Sequence, residues 1–97
     1  MIRHTVMFTW KPEATEEQRK RVAEELSRLP GVIPSLKAYS MGTDIGVNQG
    51  NFDFVVVGDF DDVDGYIAYR DDPTHQAIIK EHIQGLVAQR AAVQYEL

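Results

Sequence analysis

Phe52-Asp53-Phe54-Val55-Val56-Val57-Gly58-Asp59-Phe60 is the stretch whose reading decides the fold. Its unbroken valine run suits a strand covered on both faces, so it belongs inside a sheet and not at its rim. The outward set of that strand, Asp53, Val55, Val57 and Asp59, is apolar at its centre. A second layer is therefore expected on that side. Upstream, Ile2 to Lys11 alternates with the strand period. Ile2, His4, Val6, Phe8 and Trp10 share one face, and Arg3, Thr5, Met7, Thr9 and Lys11 the other. Pro12 ends this strand because it has no backbone donor to give.

Thr15-Glu16-Glu17-Gln18 has the form of a capping box, and Val22, Ala23, Leu26 and Leu29 follow at helical spacing. Pro30-Gly31 stops that helix. A second strand is expected from Leu36 to Met41, with Leu36, Ala38 and Ser40 alternating against Lys37, Tyr39 and Met41. Gly42 to Gly50 holds three glycines, an asparagine and an aspartate, the composition of a mobile loop. After the valine strand, Asp61 or Asp62 suits the N-cap of a short helix through Val63, Tyr66, Ile67 and Tyr69. Asp59, Asp61, Asp62 and Asp64 together read as acids at a positive helix end. Pro73 opens another helix, whose apolar stripe is Ile78, Ile79, His82, Ile83, Leu86 and Val87. A last strand is expected from Ala91 to Leu97, with Ala91, Val93, Tyr95 and Leu97 opposite Ala92, Gln94 and Glu96.

The order is β-α-β-β-α-β with the second α element broken at Pro73, which predicts an α+β, ferredoxin-like domain over residues 1–97. Helices then cover one face of a four-stranded sheet and leave the other bare. A homodimer through the open sheet face is the expected remedy, and a stable monomer at micromolar concentration in sedimentation would contradict it.

Bulk composition narrows the function. With 43% hydrophobic and 26% charged residues, the 97-residue chain has enough apolar surface for one core. A net charge of -5 disfavours nucleic acid and anionic membrane as partners. Arg19, Lys20 and Arg21 are flanked by Glu16, Glu17, Glu24 and Glu25, the mark of a solvated helix face. Without cysteine there is no disulfide, thiolate nucleophile or zinc–thiolate site, and a reducing cytoplasm is the default compartment. No apolar run approaches the roughly 20 residues that span a bilayer, and no secretory signal precedes the first strand. Gly42-x-x-x-Gly46 lacks the lysine of a phosphate-binding loop, no Gly-x-Ser-x-Gly elbow occurs, and nothing points to nicotinamide or flavin. No cofactor is expected.

Three histidines remain, at positions 4, 75 and 82. His4 interrupts an apolar strand face, and His75 follows Pro73 six residues after Tyr69. Two imidazoles and a phenol brought together can move protons near neutral pH. Each residue also has a plainer role. Pro73-Thr74-His75 suits a simple helix start, Tyr69 a core-edge aromatic, and His4 a buried imidazole bonded to a backbone carbonyl. His82 lies two turns from His75, about 10 Å away, too far to share a metal ion. Asp71 and Asp72 suit a solvent-facing loop better than a cation site.

Ile2-Arg3-His4-Thr5-Val6-Met7-Phe8, the glycine-rich loop and the spacing Tyr69-x-x-x-x-x-His75 with Pro73 between resemble the stress-responsive dimeric α/β-barrel (Dabb) family over nearly the whole chain. The resemblance implies a homodimer whose two sheets pack face to face, helices outside, with a small cavity between each sheet and its own helices. It extends to polyketide cyclases of the olivetolic acid type, which close a poly-β-ketone by aldol condensation. Carried over, their working residues fall on His75 as base, Tyr69 as donor to the enolate and His4 as a lining residue. The acid that orients the catalytic histidine in those cyclases is replaced here by Gln94, with Glu96 as the next position to consider. The resemblance thus implies a cofactor-free enzyme acting on a small apolar or β-keto ligand. A non-catalytic, stress-associated dimer that binds a small ligand, and a cofactor-independent monooxygenase, are its alternatives.

Overall fold

The computed structural model describes residues 1–97. Strand β1 (Ile2–Trp10) leads through Pro12 into α1 (Glu16–Leu26) and a single 3-10 turn (Leu29–Gly31). Strands β2 (Ala38–Thr43) and β3 (Phe54–Phe60) follow, then α2 (Val63–Asp71) and α3 (Pro73–Ile78). A wide π-type turn (Ile79–Ile83) joins α3 to β4 (Val87–Glu96). The four strands form one antiparallel sheet in the order β2-β3-β1-β4, so the fold is ferredoxin-like α+β with β1 and β3 at its centre.

Local chemistry sets these boundaries. The Thr15 hydroxyl accepts from the Gln18 amide N–H while the Gln18 side chain accepts from Thr15 N–H, a complete capping box. Asp62, not Asp61, caps α2 by accepting from Gly65 N–H at 2.8 Å. Asp72 closes α2 and also opens α3, its carboxylate accepting from the backbone N–H groups of Thr74 and His75. Pro73 sits where a helix has no use for the missing donor.

Three strand starts differ from the sequence reading. β2 begins at Ala38 instead of Leu36, because Leu36 leaves the sheet to join the core. β3 begins at Phe54 instead of Phe52, since Asp53 is drawn aside: its carboxylate accepts from the Trp10 backbone N–H at 2.9 Å. β4 begins at Val87 instead of Ala91. The apolar run through Leu86 and Val87 continues the helical spacing but belongs to the turn and the strand that follow.

The core lies between the helices and one face of the sheet. Val6 and Phe8 of β1 and Phe54, Val56 and Phe60 of β3 pack on Val22 and Leu26 of α1, with Tyr69, Ile78 and Ile83 alongside. Gly58 stands opposite His4 in the β1–β3 register, and a side chain there would crowd Leu36 and Phe60 at 3.3–3.4 Å. The other face carries Met7, Val93 and Tyr95, all exposed, with half-buried Val55 and Val57. Asp59 also lies on this open face. It is not a helix-capping acid: the Arg3 guanidinium, its cross-strand partner, donates twice to its carboxylate at 2.7 and 2.9 Å. That fork holds Asp59 below the usual carboxylate range.

Candidate functional site

His4, Tyr69 and His75 line one cavity of about 470 Å³ between the sheet and the α2–α3 layer. Val6, Phe8, Leu26, Val56, Ile79, Ile83 and Val87 supply its aliphatic and phenyl wall. The two histidines are 5% and 8% exposed and Tyr69 is buried.

His4 reaches this cavity because β1 alternates, placing it on the helix-facing side two residues before Val6. Its cross-strand partner is Gln94, whose side-chain amide donates to His4 Nδ1 at 2.7 Å. With Nδ1 accepting, neutral His4 carries its proton on Nε2. The partner is thus a side-chain amide rather than the backbone carbonyl the sequence allowed. Gln94 serves His4 and does not orient His75, while Glu96 pairs with Ile2 at the sheet edge and is exposed. The Tyr66 ring packs 4.9 Å from the His4 ring.

His75 is oriented by the backbone. Its Nδ1 stands 3.3 Å from the Arg70 carbonyl, which can only accept, so Nδ1 is the protonated nitrogen and Nε2 holds a lone pair. Tyr69, from the preceding helix, stacks on the imidazole with ring centres 4.1 Å apart. The Tyr69 hydroxyl is bonded to the hydroxyl of Tyr39 on β2 at 2.9 Å. No buried side-chain nitrogen or oxygen lacks a partner, and neither Nε2 has one within the chain, so both open onto accessible space. The cavity therefore offers one bare imidazole nitrogen and one imidazole N–H.

Burial governs the charge states. His4 is lowered from 6.5 to about 4, chiefly by desolvation, then by the positive charge of Arg90 and by His75. Desolvation also lowers His75, although the Arg70 and Tyr69 carbonyls oppose it. Burial raises the Tyr39 and Tyr69 phenols, so both keep their protons at neutral pH. Because folded His4 resists protonation, the unfolded chain holds the extra proton between pH 6.5 and about 4. Stability is therefore lost as pH falls through that window, by up to roughly 3 kcal/mol from this residue. In an NMR titration of the imidazole C–H resonances, His4 is expected to stay neutral until pH nears 4. A midpoint at 6.5 would contradict its desolvation.

Tyr39 is a site residue that the sequence reading did not single out. Its strand alternation was visible, but the face turned inward was not decided by the Leu36–Met41 pattern. His82 points away, with Nε2 3.8 Å from Glu81 and 4.0 Å from Glu25. Asp71 pairs with Arg70 in solvent, and no three His, Asp or Glu residues are grouped to hold a metal.

The family model described as the stress responsive A/B barrel domain (Dabb) matches residues 2–97. A protein of unknown function from Thermobifida fusca, described as dimeric and ferredoxin-like, is 45% identical. The match covers 99% of this chain and 90% of that one, with a TM-score of 0.92. A Dabb family protein from Mesorhizobium loti is 24% identical over 99% of this chain and 95% of its own, with a TM-score of 0.83. Hydroxynitrile lyase from Passiflora edulis is 19% identical over 99% of this chain and 92% of its own, with a TM-score of 0.87. These last two likenesses are of fold. No curated protein matches, and no helix is long and apolar enough to cross a membrane. With its family model matched from Ile2 to Leu97, this chain belongs to the stress-responsive A/B barrel domain (Dabb) family.

Proposed function

We propose that this protein is a cofactor-free enzyme that removes a proton from carbon beside a carbonyl group. The supporting observation is the meeting of three groups on one apolar cavity: the bare Nε2 of His75, the Nε2–H of His4 and the Tyr69 phenol. His75 Nε2 takes the proton, and the C–H electron pair passes into the carbonyl to give an enolate. Tyr69 O–H and His4 Nε2–H donate to the enolate oxygen. The Tyr39 hydroxyl stands 2.9 Å from that of Tyr69, and when Tyr39 donates in that bond the Tyr69 proton is free for the substrate. A neutral imidazole is a fitting donor here, since an imidazolium would discharge the base beside it.

The enolate then has two balanced outcomes. It adds to a second carbonyl of the same molecule, and His75 returns its proton to the new alkoxide, closing a ring as in the polyketide cyclases. Alternatively the proton returns to a different carbon, and the product is an isomer. A β-keto compound suits both, because two carbonyls acidify the carbon between them.

The test is hydrogen–deuterium exchange at C2 of methyl 3-oxooctanoate in deuterated buffer, followed by NMR. Acceleration proportional to protein concentration, and dependent on His75, is the expected result. Binding of the probe without faster exchange would instead favour the non-catalytic ligand-binding reading.

The same proposal includes a homodimer through the open sheet face. Its support is the exposed apolar set of Met7, Val93 and Tyr95 and the dimeric description of the Thermobifida relative. Sedimentation at micromolar concentration should give twice the chain mass of 11.0 kDa, and a monomer would remove the dimer.

A further inference from the structure

The cavity wall holds two arginines and no aspartate or glutamate, in a chain whose net charge is -5. One arginine is already committed: Arg70 donates to Asp71 at 2.8 and 3.1 Å. Gln76 is committed too, its amide donating to the Arg70 carbonyl. Arg90 is different. It stands opposite Phe8 in the β1–β4 register, on the same side of β4 as Gln94, so it projects over the helix-facing side of the sheet. No carboxylate pairs with its guanidinium, and no side chain or carbonyl accepts a hydrogen bond from it. Gln84, also in the wall and exposed, has an equally uncommitted amide.

We propose that Arg90, assisted by Gln84, is the anion-recognising end of this cavity, and that the molecule it takes is a carboxylate on an apolar acyl chain. This deepens the reading above, since it uses the same cavity as the site. The hydrocarbon wall of Val6, Leu26, Val56, Ile79 and Ile83 receives the chain, and the planar guanidinium fork receives the carboxylate. Arg90 lines the same cavity as His4, Tyr69 and His75, so a chain anchored there by its carboxylate shares that space with the proton-transfer groups. Neutralising that cation would at the same time relieve its repulsion of a protonated His4.

Octanoate and its neutral counterpart octanamide, titrated calorimetrically at pH 7.5 against purified protein, separate the charge from the chain. Wild type is expected to bind octanoate roughly 10- to 100-fold more tightly than octanamide. Arg90→Gln should bring octanoate down to the octanamide level and leave octanamide unchanged, while Arg90→Lys keeps part of the preference. Equal binding of the two by wild type, an equal fall for both in Arg90→Gln, or no binding of either at millimolar concentration would overturn the assignment. The exchange assay uses an uncharged ester, so the two ideas fail separately. Octanoate preference without exchange leaves the anion site and removes the enzyme, whereas exchange without octanoate preference does the reverse.

Discussion

His75→Gln is expected to lower the protein-dependent exchange of methyl 3-oxooctanoate by roughly 10²- to 10⁴-fold, the usual contribution of a positioned base. Glutamine keeps a donor for the Arg70 carbonyl, which anchors the native ring, and it keeps a similar reach. It has no basic nitrogen. The fold should survive because the helix that carries residue 75 is fixed by the Asp72 cap and by Pro73. An unchanged circular dichroism spectrum with an exchange rate within threefold of wild type would assign the chemistry elsewhere. The pH profile gives a second reading. Burial depresses His75 below its usual value, so the base stays available through neutral pH and fails only as the medium becomes acidic. A profile rising above pH 8 would implicate a phenol in place of the imidazole.

Phe60→Ala should cost roughly 3–5 kcal/mol of stability. Phe60 is 0% exposed and closes the β3 end of the core. Its ring centre lies 5.1 Å from that of Tyr69 and 5.7 Å from that of Tyr66, and the glycine at position 58 makes room for it. Truncation removes the hydrocarbon and leaves a void that strands β1 and β3 cannot close without moving the sheet. A domain of this size has about 5–15 kcal/mol to lose, so the variant should approach the unfolding threshold at 37 °C. Urea melts compare the two proteins directly. A loss under 1 kcal/mol would mean that Tyr66 or Tyr69 collapses into the space. In that case the cavity would change shape, and binding of methyl 3-oxooctanoate would fall while stability held.

Much of the architecture was legible because its signals are local. The alternation of β1, the Thr15–Gln18 box, the valine run of β3 and the proline at 73 each act within a few residues, and each fell where expected. Errors gathered where one pattern runs into another. Leu86 and Val87 continue a helical stripe by spacing alone, yet the π-type turn resets the phase and Val87 opens β4. Asp59 looked like one of a group of capping acids, because its Arg3 partner is 56 positions distant and invisible to local reading. The same limit applies to the candidate site. His4, Tyr69 and His75 stood out as rare or well-spaced residue types, and the fold brings them around one cavity. Tyr39 and Arg90 did not stand out. A tyrosine in a strand and an arginine near a helix end are ordinary until the register shows which way each points.

The His4–Gln94 contact joins positions 90 apart in the chain. During synthesis the imidazole emerges 90 residues ahead of the amide that fixes its tautomer. Closing a loop of that length is an entropic cost met only when β4 docks on β1. The early-made histidine therefore has no defined proton arrangement on a nascent chain. The polarity of this hollow is therefore set only when β4 docks, because the amide that fixes the imidazole's tautomer lies on that strand.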